Sequence, residues 1–272
     1  MLAAVLAFVG PPKPFGENEI GPEIFQTPCV FGSGDGCFNR ASLLMVLAAL
    51  VTIVLFIVAF RRPKLVPRGL QNLMESIVEF IRNGIVLEVI GREGLAYLPF
   101  LTAMFVFIFV SNVFGILPFV NFPATSRMAI PLFLAVLVWF IFNIAGIRAQ
   151  GLRYFKNALF PPSVPWPLYF LVTPIEFVST FLVRPFSLSV RLLGNMFAGH
   201  LILTIFALGT LYLGQHVAQV GLLTKLVGVF SLPAFALLVF LTGFEILVAV
   251  LQAYIFTILT AVYVGGAIHP EH

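Results

Sequence analysis

Four side chains that are costly to bury lie within two long apolar runs in the second half of this 272-residue chain. They are Glu176, Arg191, His200 and Glu245. An arginine at the centre of a helix in lipid costs about 2.5 to 3.5 kcal/mol on insertion scales, so intramembrane ionisable groups face a protein interior or a wet cavity and are functional candidates by default. The alternative is a structural ion pair, for example between Arg191 and Glu245.

Helical spacing places further polar residues beside these groups. Ser187, Arg191 and Asn195 are four residues apart and share one helix face, and Glu245 and Gln252 are seven apart and share another. Arginine stays protonated at any working pH, whereas buried glutamate and histidine can exchange protons near neutrality. The pattern therefore predicts a proton or ion path around a fixed positive charge.

The composition places these residues in an all-α integral membrane protein. Hydrophobic residues make up 60% of the chain and charged residues 10%, against about 25% charged in ordinary soluble domains. The apolar residues form runs long enough to span a bilayer, about 20 residues each. No glycine-rich phosphate loop, metal-ligand cluster or basic patch with exposed aromatic residues is present in the sequence, so we expect no cofactor, no metal, no nucleic-acid partner and no catalysis by the chain alone.

The first half of the chain divides into four segments. Residues 1–40 are predicted to be extramembrane, 41–60 a span roughly perpendicular to the membrane, 68–93 an amphipathic surface helix, and 97–147 a hairpin of two further perpendicular spans. Cys29 and Cys37, in a glycine-rich stretch, would form a disulfide if this end faces an oxidising compartment, and two free thiols otherwise.

Residues 165–268 contain two apolar runs of about 40 residues each. A helix of that length is about 60 Å long, against a hydrocarbon core of about 30 Å. Each run must therefore break into two spans or lie far from the membrane normal. Because no polar turn divides either run, we predict a hairpin of two long, steeply tilted helices.

The basic residues predict the orientation of the chain. Of its 15 lysines and arginines, nine fall on the side that follows the first span, where the positive-inside rule places the cytoplasm. The N-terminus is then outside. The first ten residues lack a basic n-region and a cleavage site, so we expect them to stay in the mature chain.

Three segments resemble one known family. RPFSLSVRLLGNMFAGHLIL, from Arg184 to Leu203, resembles the signature of subunit a of F-type ATP synthases. SNVFGILP, from Ser111 to Pro118, resembles an earlier hairpin of that family, and Phe244 to Tyr263 resembles its last helix. The likeness extends in the same order from about residue 40 to the end.

This resemblance implies a role for each candidate. Arg191 matches the essential arginine that faces the ion-binding carboxylate of the rotor c-ring, and Ser187 and Asn195 match polar positions beside it. Gly194 and Gly199 would let another helix approach closely, and are expected on the rotor-facing side.

The remaining candidates match the family's proton path. His200 and Glu245 resemble a coupled pair in the outer half-channel, and Gln252 resembles a glutamine one helical face further on. Glu176 resembles an acid upstream of the arginine, but its spacing to Pro185 is one residue longer than the resemblance leads us to expect. Either Glu176 is not that acid, or the helix contains a bulge.

The function that the resemblance implies is a non-catalytic stator subunit of the proton-translocating ATP synthase. Two aqueous half-channels would connect the two sides of the membrane to the c-ring. The expected partners are the c-ring, the peripheral-stalk b subunits, other ATP synthase subunits, lipid and protons. The expected location is a bacterial plasma membrane, with the mitochondrial inner membrane second. The alternative is an ion-coupled secondary transporter, which would require internal repeats and broken helices.

Overall fold

The computed structural model describes residues 29–31, 38–117, 128–151, 153–159, 169–217 and 229–268. Most of the predicted extramembrane segment, residues 1–40, lies outside these ranges. So does Cys37, and with it the predicted disulfide. The part of this segment that is described contains a feature that the sequence did not predict. Strands β1 (Cys29–Phe31) and β2 (Phe38–Asn39) pair antiparallel, with Cys29 opposite Asn39 and Phe31 opposite Phe38.

All other regular elements in the described part of the chain are helical. In chain order they are α1 (Arg40–Phe60), α2 (Leu70–Ile81), a π-helix (Arg82–Ile90), a 3-10 helix (Arg92–Tyr97), α3 (Leu98–Ile116), α4 (Ala129–Gln150), α5 (Arg153–Leu159), α6 (Tyr169–Val178), a second π-helix (Ser179–Val183), α7 (Arg184–Val217) and α8 (Ser231–Ile268).

Five helical segments are long and apolar enough to cross a bilayer. They are Ser42–Phe60, Arg92–Ile116, Ala129–Gln150, Tyr169–Thr210 and Ser231–Ile268. These segments agree with an all-helical integral membrane protein and with two unusually long apolar helical runs near its C-terminal end. Their tilt and order across the membrane stay predictions.

The chain folds into two compact units. Counting only the residues that the structure describes, the first unit lies within Met1–Ala48, Phe109–Arg127 and Leu193–Leu251, and the second lies within Ala49–Ile108, Met128–Leu192 and Gln252–His272.

In the first unit, α7 and α8 share a small apolar core. Leu203, Ala207 and Leu238 are buried there, and Phe206, Phe235 and Leu241 pack around them.

In the second unit, the segment predicted as an amphipathic surface helix packs against the last turns of α8. Ile81, Ile85 and Val86 on its apolar face are fully buried. The Phe80 and Tyr254 rings lie 5.8 Å apart, and a Cβ added at Gly265 would lie 3.2 Å from the Val89 carbonyl oxygen. This segment is helical and has a buried apolar face, and its assignment as an amphipathic helix at the membrane surface stays a prediction.

The end of α4 also holds the end of α8 in this unit. The Gln150 side-chain amide donates a hydrogen bond of 2.8 Å to the Ala267 carbonyl oxygen. The Phe142 ring, which is almost fully buried, lies 6.0 Å from the Tyr263 ring. The helix that contains Gln252 is therefore fixed at its C-terminal end by two independent elements.

Candidate functional site

Arg191 lies on α7 with its side chain directed away from the packing of its own unit. Its neighbours Leu188, Ser189 and Leu192 are buried, whereas Arg191 itself is exposed. Within the described part of the chain, Arg191 makes no ion pair with an acidic side chain. The alternative interpretation, a buried structural ion pair, would require Arg191 to be buried beside an acidic side chain of this chain. The guanidinium is therefore exposed on the surface that the described residues form.

The exposed face around Arg191 continues along α7 with small residues. Gly194, Asn195 and Ala198 are exposed and follow Arg191 at helical spacing. A Cβ added at Gly194 would meet no atom within 4 Å. Small residues on an intramembrane face allow a second helix to approach closely. Ser187, one turn before Arg191, is half-buried.

Glu245 on α8 lies directly against Gly199 on α7 in the first unit. A Cβ added at Gly199 would overlap the Glu245 carboxyl group, since it would lie 3.1 Å from the carboxyl carbon. Gly199 therefore makes room for this carboxylate of its own chain. The sequence predicts Gly199 on the rotor-facing side together with Gly194 and Arg191, and this assignment stays a prediction.

His200 follows Gly199 on the same helix, and its side chain lies outside the described part of the structure. The contact between Gly199 and Glu245 brings α8 next to this position. The predicted pairing of His200 with Glu245 stays a prediction.

Gln252 is 2% exposed and lies on the packed face of α8 in the second unit. Ala253 and Phe256 are buried beside it. Gln252 therefore lies on the side of α8 that packs inward in the second unit.

Glu176 on α6 is half-buried, and a π-helix follows it over Ser179–Val183. A π-helical turn accommodates an extra residue within a helix. The structure therefore contains the bulge that was one of the two explanations for the long spacing between Glu176 and Pro185. The role of Glu176 stays a prediction.

Comparison with known proteins decides the family. Residues 42–265 match the family described as ATP synthase A chain. The chain belongs to this family. It is 46% identical over 257 residues to the ATP synthase subunit a of Frankia alni, across 92% of this chain and 86% of that protein. It is 45% identical to the subunit of the same name from a Parafrankia strain, across 98% of this chain and 87% of that protein. It is 40% identical to the ATP synthase subunit a of Acidiphilium cryptum, across 93% of this chain and 97% of that protein.

As an ATP synthase A chain, the protein is a membrane subunit of the F-type complex and serves in ATP synthesis and proton transport. It works together with the other subunits of that complex. The alternative of a secondary transporter loses its support, because the family match covers most of the chain.

The structure also brings together three residues of this A chain that the sequence alone does not connect. The Arg184 guanidinium carbon lies 5.3 Å from the centroid of the Tyr263 ring, in the range of a cation–π contact. Arg184 also lies close enough to Tyr154 to act on it electrostatically. Its partners lie 30 or more residues away in sequence, so helical periodicity could not have found them.

Burial raises the pKa of the Tyr154 hydroxyl above its ordinary value of 10.0, and the positive charge of Arg184 partly offsets that increase. Tyr154 is therefore a neutral hydrogen-bonding group at physiological pH. Its ring overlaps the space that a Cβ at Gly146 would occupy, so only glycine fits at that position of α4.

Proposed function

We propose that this subunit conducts protons to and from a carboxylate on the rotor ring, with Arg191 as the fixed charge between two half-channels. The observation that supports this most strongly is an exposed guanidinium on an apolar helix. Such a cation is costly in contact with lipid alone. An acidic partner on a neighbouring subunit would remove that cost.

The proposed role of Arg191 follows from the electrostatics of the carboxyl group on the rotor. A protonated rotor carboxyl can enter the lipid, whereas a carboxylate pays a large desolvation penalty there. The Arg191 charge stabilises the deprotonated site while it passes the stator and repels protons that would cross directly. The membrane potential contributes about 2.3 kcal/mol per 100 mV to the movement of each proton across the membrane.

The outer half-channel would be formed around Glu245. The contact between Glu245 and Gly199 supports this proposal, because it places a carboxyl group at the interface of α7 and α8. We assign His200, Asn195 and Gln252 to the same path from their spacing along these two helices.

Glu176 and Ser187 would contribute to the proton path on the other side of Arg191. Both are half-buried, which leaves each side chain partly accessible to water or to a neighbouring subunit. The bulge between Glu176 and Pro185 supports this assignment, since it accounts for the additional residue.

The orientation and the partners complete the proposal. The N-terminal segment would face the outside of a bacterial plasma membrane, in line with the bacterial relatives and with the basic residues that follow α1. Residues 68–93 would lie on the inner surface, and residues 165–268 would form the tilted hairpin beside the c-ring. The peripheral-stalk b subunits would hold the subunit against rotation.

Proton flux in vesicles containing the complete complex tests this function. Arg191→Ala should abolish ATP-driven proton pumping, because it removes the charge that separates the half-channels. Arg153→Ala is the matched control, since Arg153 is also exposed but lies on the short helix α5. Full pumping by the Arg191→Ala complex, with the control unimpaired, would refute the proposal.

A further inference from the structure

The segment that follows the first span is an ordered loop with a basic and apolar tip. Residues 61–68 read RRPKLVPR and contain four basic residues and no acidic one. All four basic side chains are exposed. At the tip, Leu65 is fully exposed and Val66 is 68% exposed. Two large aliphatic side chains are thus presented outward between positive charges, directly after the last residue of the Ser42–Phe60 span.

Gln71 fixes the shape of this loop. The Lys64 backbone N–H donates to the Gln71 side-chain oxygen at 3.2 Å, and the Gln71 amide donates back to the Lys64 carbonyl oxygen at 3.1 Å. The same amide donates to a Glu75 carboxylate oxygen at 2.8 Å. Gln71 is itself buried. Two side-chain bonds to one backbone residue therefore hold the base of the tip against α2.

Two prolines further restrict the tip. Pro63 and Pro67 fix their own φ angles and disfavour the helical region for the residue before each of them. The loop is therefore organised before it meets a partner, which reduces the ordering cost of binding. Because the loop is held in this shape, Leu65 and Val66 are exposed by a fixed backbone conformation and not by a flexible chain.

We propose that residues 61–68 form a binding site for anionic lipid headgroups, with Leu65 and Val66 inserted at the boundary between headgroups and acyl chains. The charge supports a negatively charged partner, and the position at the end of a span places the loop at the membrane surface. Basic residues near a membrane contribute about fivefold each to the binding of anionic lipid, and buried apolar area adds to that attraction. The proposal is independent of the proton path.

Quenching by brominated lipids tests the proposal on the full chain reconstituted in vesicles. Leu65→Trp adds a fluorophore at the tip, and the emission of the unsubstituted chain is subtracted. Brominated phosphatidylglycerol should quench the added emission at least threefold more strongly than brominated phosphatidylcholine at equal content. Leu73→Trp is the positional control, because Leu73 is 57% exposed on α2 outside the basic loop. It should show no such preference.

The positive charge of the loop and the hydrogen bonds that fix its shape are then removed in separate variants, each of which also carries Leu65→Trp. Replacing Arg61, Arg62, Lys64 and Arg68 by glutamine should abolish the preference, whereas Arg148→Gln with Arg153→Gln, two exposed arginines elsewhere, should leave it unchanged. Gln71→Leu keeps every positive charge but releases the base of the tip, and should weaken the preference.

Three results would overturn the inference. The first is equal quenching by the two lipids. The second is quenching by aqueous acrylamide and by neither lipid, which would place the tip in water. The third is an unchanged preference after the four basic residues are replaced.

Discussion

At the scale of single residues, the structure shows differences in side-chain orientation that helical spacing alone does not predict. Arg191 faces away from its unit, Gln252 faces inward, and Glu245 fills the space left by a glycine. Helical spacing had predicted which of these residues share a helix face. Whether a face points inward or outward depends on packing between segments distant in sequence, and a single sequence does not contain that information.

Gly199→Ala tests whether the Glu245 carboxyl needs the space that glycine provides. The added Cβ would overlap that carboxyl, so we expect the side chain to move and proton flux to fall severalfold, with the subunit still assembled. Gly243→Ala is the control, because a Cβ there would meet nothing within 4 Å.

Shortening the acid should reverse this effect. Glu245→Asp removes one methylene group, so it should restore part of the flux in the Gly199→Ala background. Normal flux in Gly199→Ala alone would show that the contact has no part in proton transfer.

The pH dependence of stability tests the surroundings of Tyr154. Its pKa is raised mainly by burial, so the stability that depends on the neutral hydroxyl is present below about pH 10 and is lost as the pH rises further. Tyr154→Phe should therefore unfold less readily than the parent above that pH, measured by thermal unfolding in detergent. Arg184→Gln removes the charge that lowers this pKa, so tyrosinate absorbance from Tyr154 should appear at still higher pH. The same absorbance profile in both proteins would contradict the electrostatic contact.

At the scale of elements, the ends of the spans were more predictable than the helix types. Arg61 and Arg62 directly follow the observed end of α1 at Phe60, because charged residues mark the edge of an apolar run. The two π-helices were not predictable by type, since one extra residue barely changes the hydrophobic period over a few turns. The only hint was the long spacing from Glu176 to Pro185. The strands β1 and β2 were missed because they contain three and two residues.

Removing the bulge tests its contribution. Deleting Leu182, which is 64% exposed in the second π-helix, should restore regular helical spacing and rotate Glu176 by about 100° relative to Arg191. We expect proton pumping by the complex to fall at least tenfold, without loss of the subunit from the membrane. Leu182→Ala keeps the bulge and should pump normally. Equal pumping by both variants would show that the bulge has no functional role.

At the scale of the whole molecule, the family makes this chain one subunit of a larger complex. Its longest apolar helices expose an arginine, an asparagine and small residues on one face of α7. This face meets the requirements for close contact with another helix that contains an acid. The composition and the family establish a membrane subunit of the ATP synthase, and we propose that the rotor approaches the exposed face of α7.

Cysteine cross-linking in the assembled complex tests this central claim most directly. In a subunit whose Cys29 and Cys37 are replaced by serine, cysteines at the exposed positions Gly194 and Ala198 should cross-link to cysteines beside the rotor carboxylate. Cysteines at Leu192 and Ala207, both 0% exposed, should not. Rotor adducts from the exposed pair alone are the predicted result. No adduct from Gly194 or Ala198, or equal adducts from the buried pair, would contradict the account.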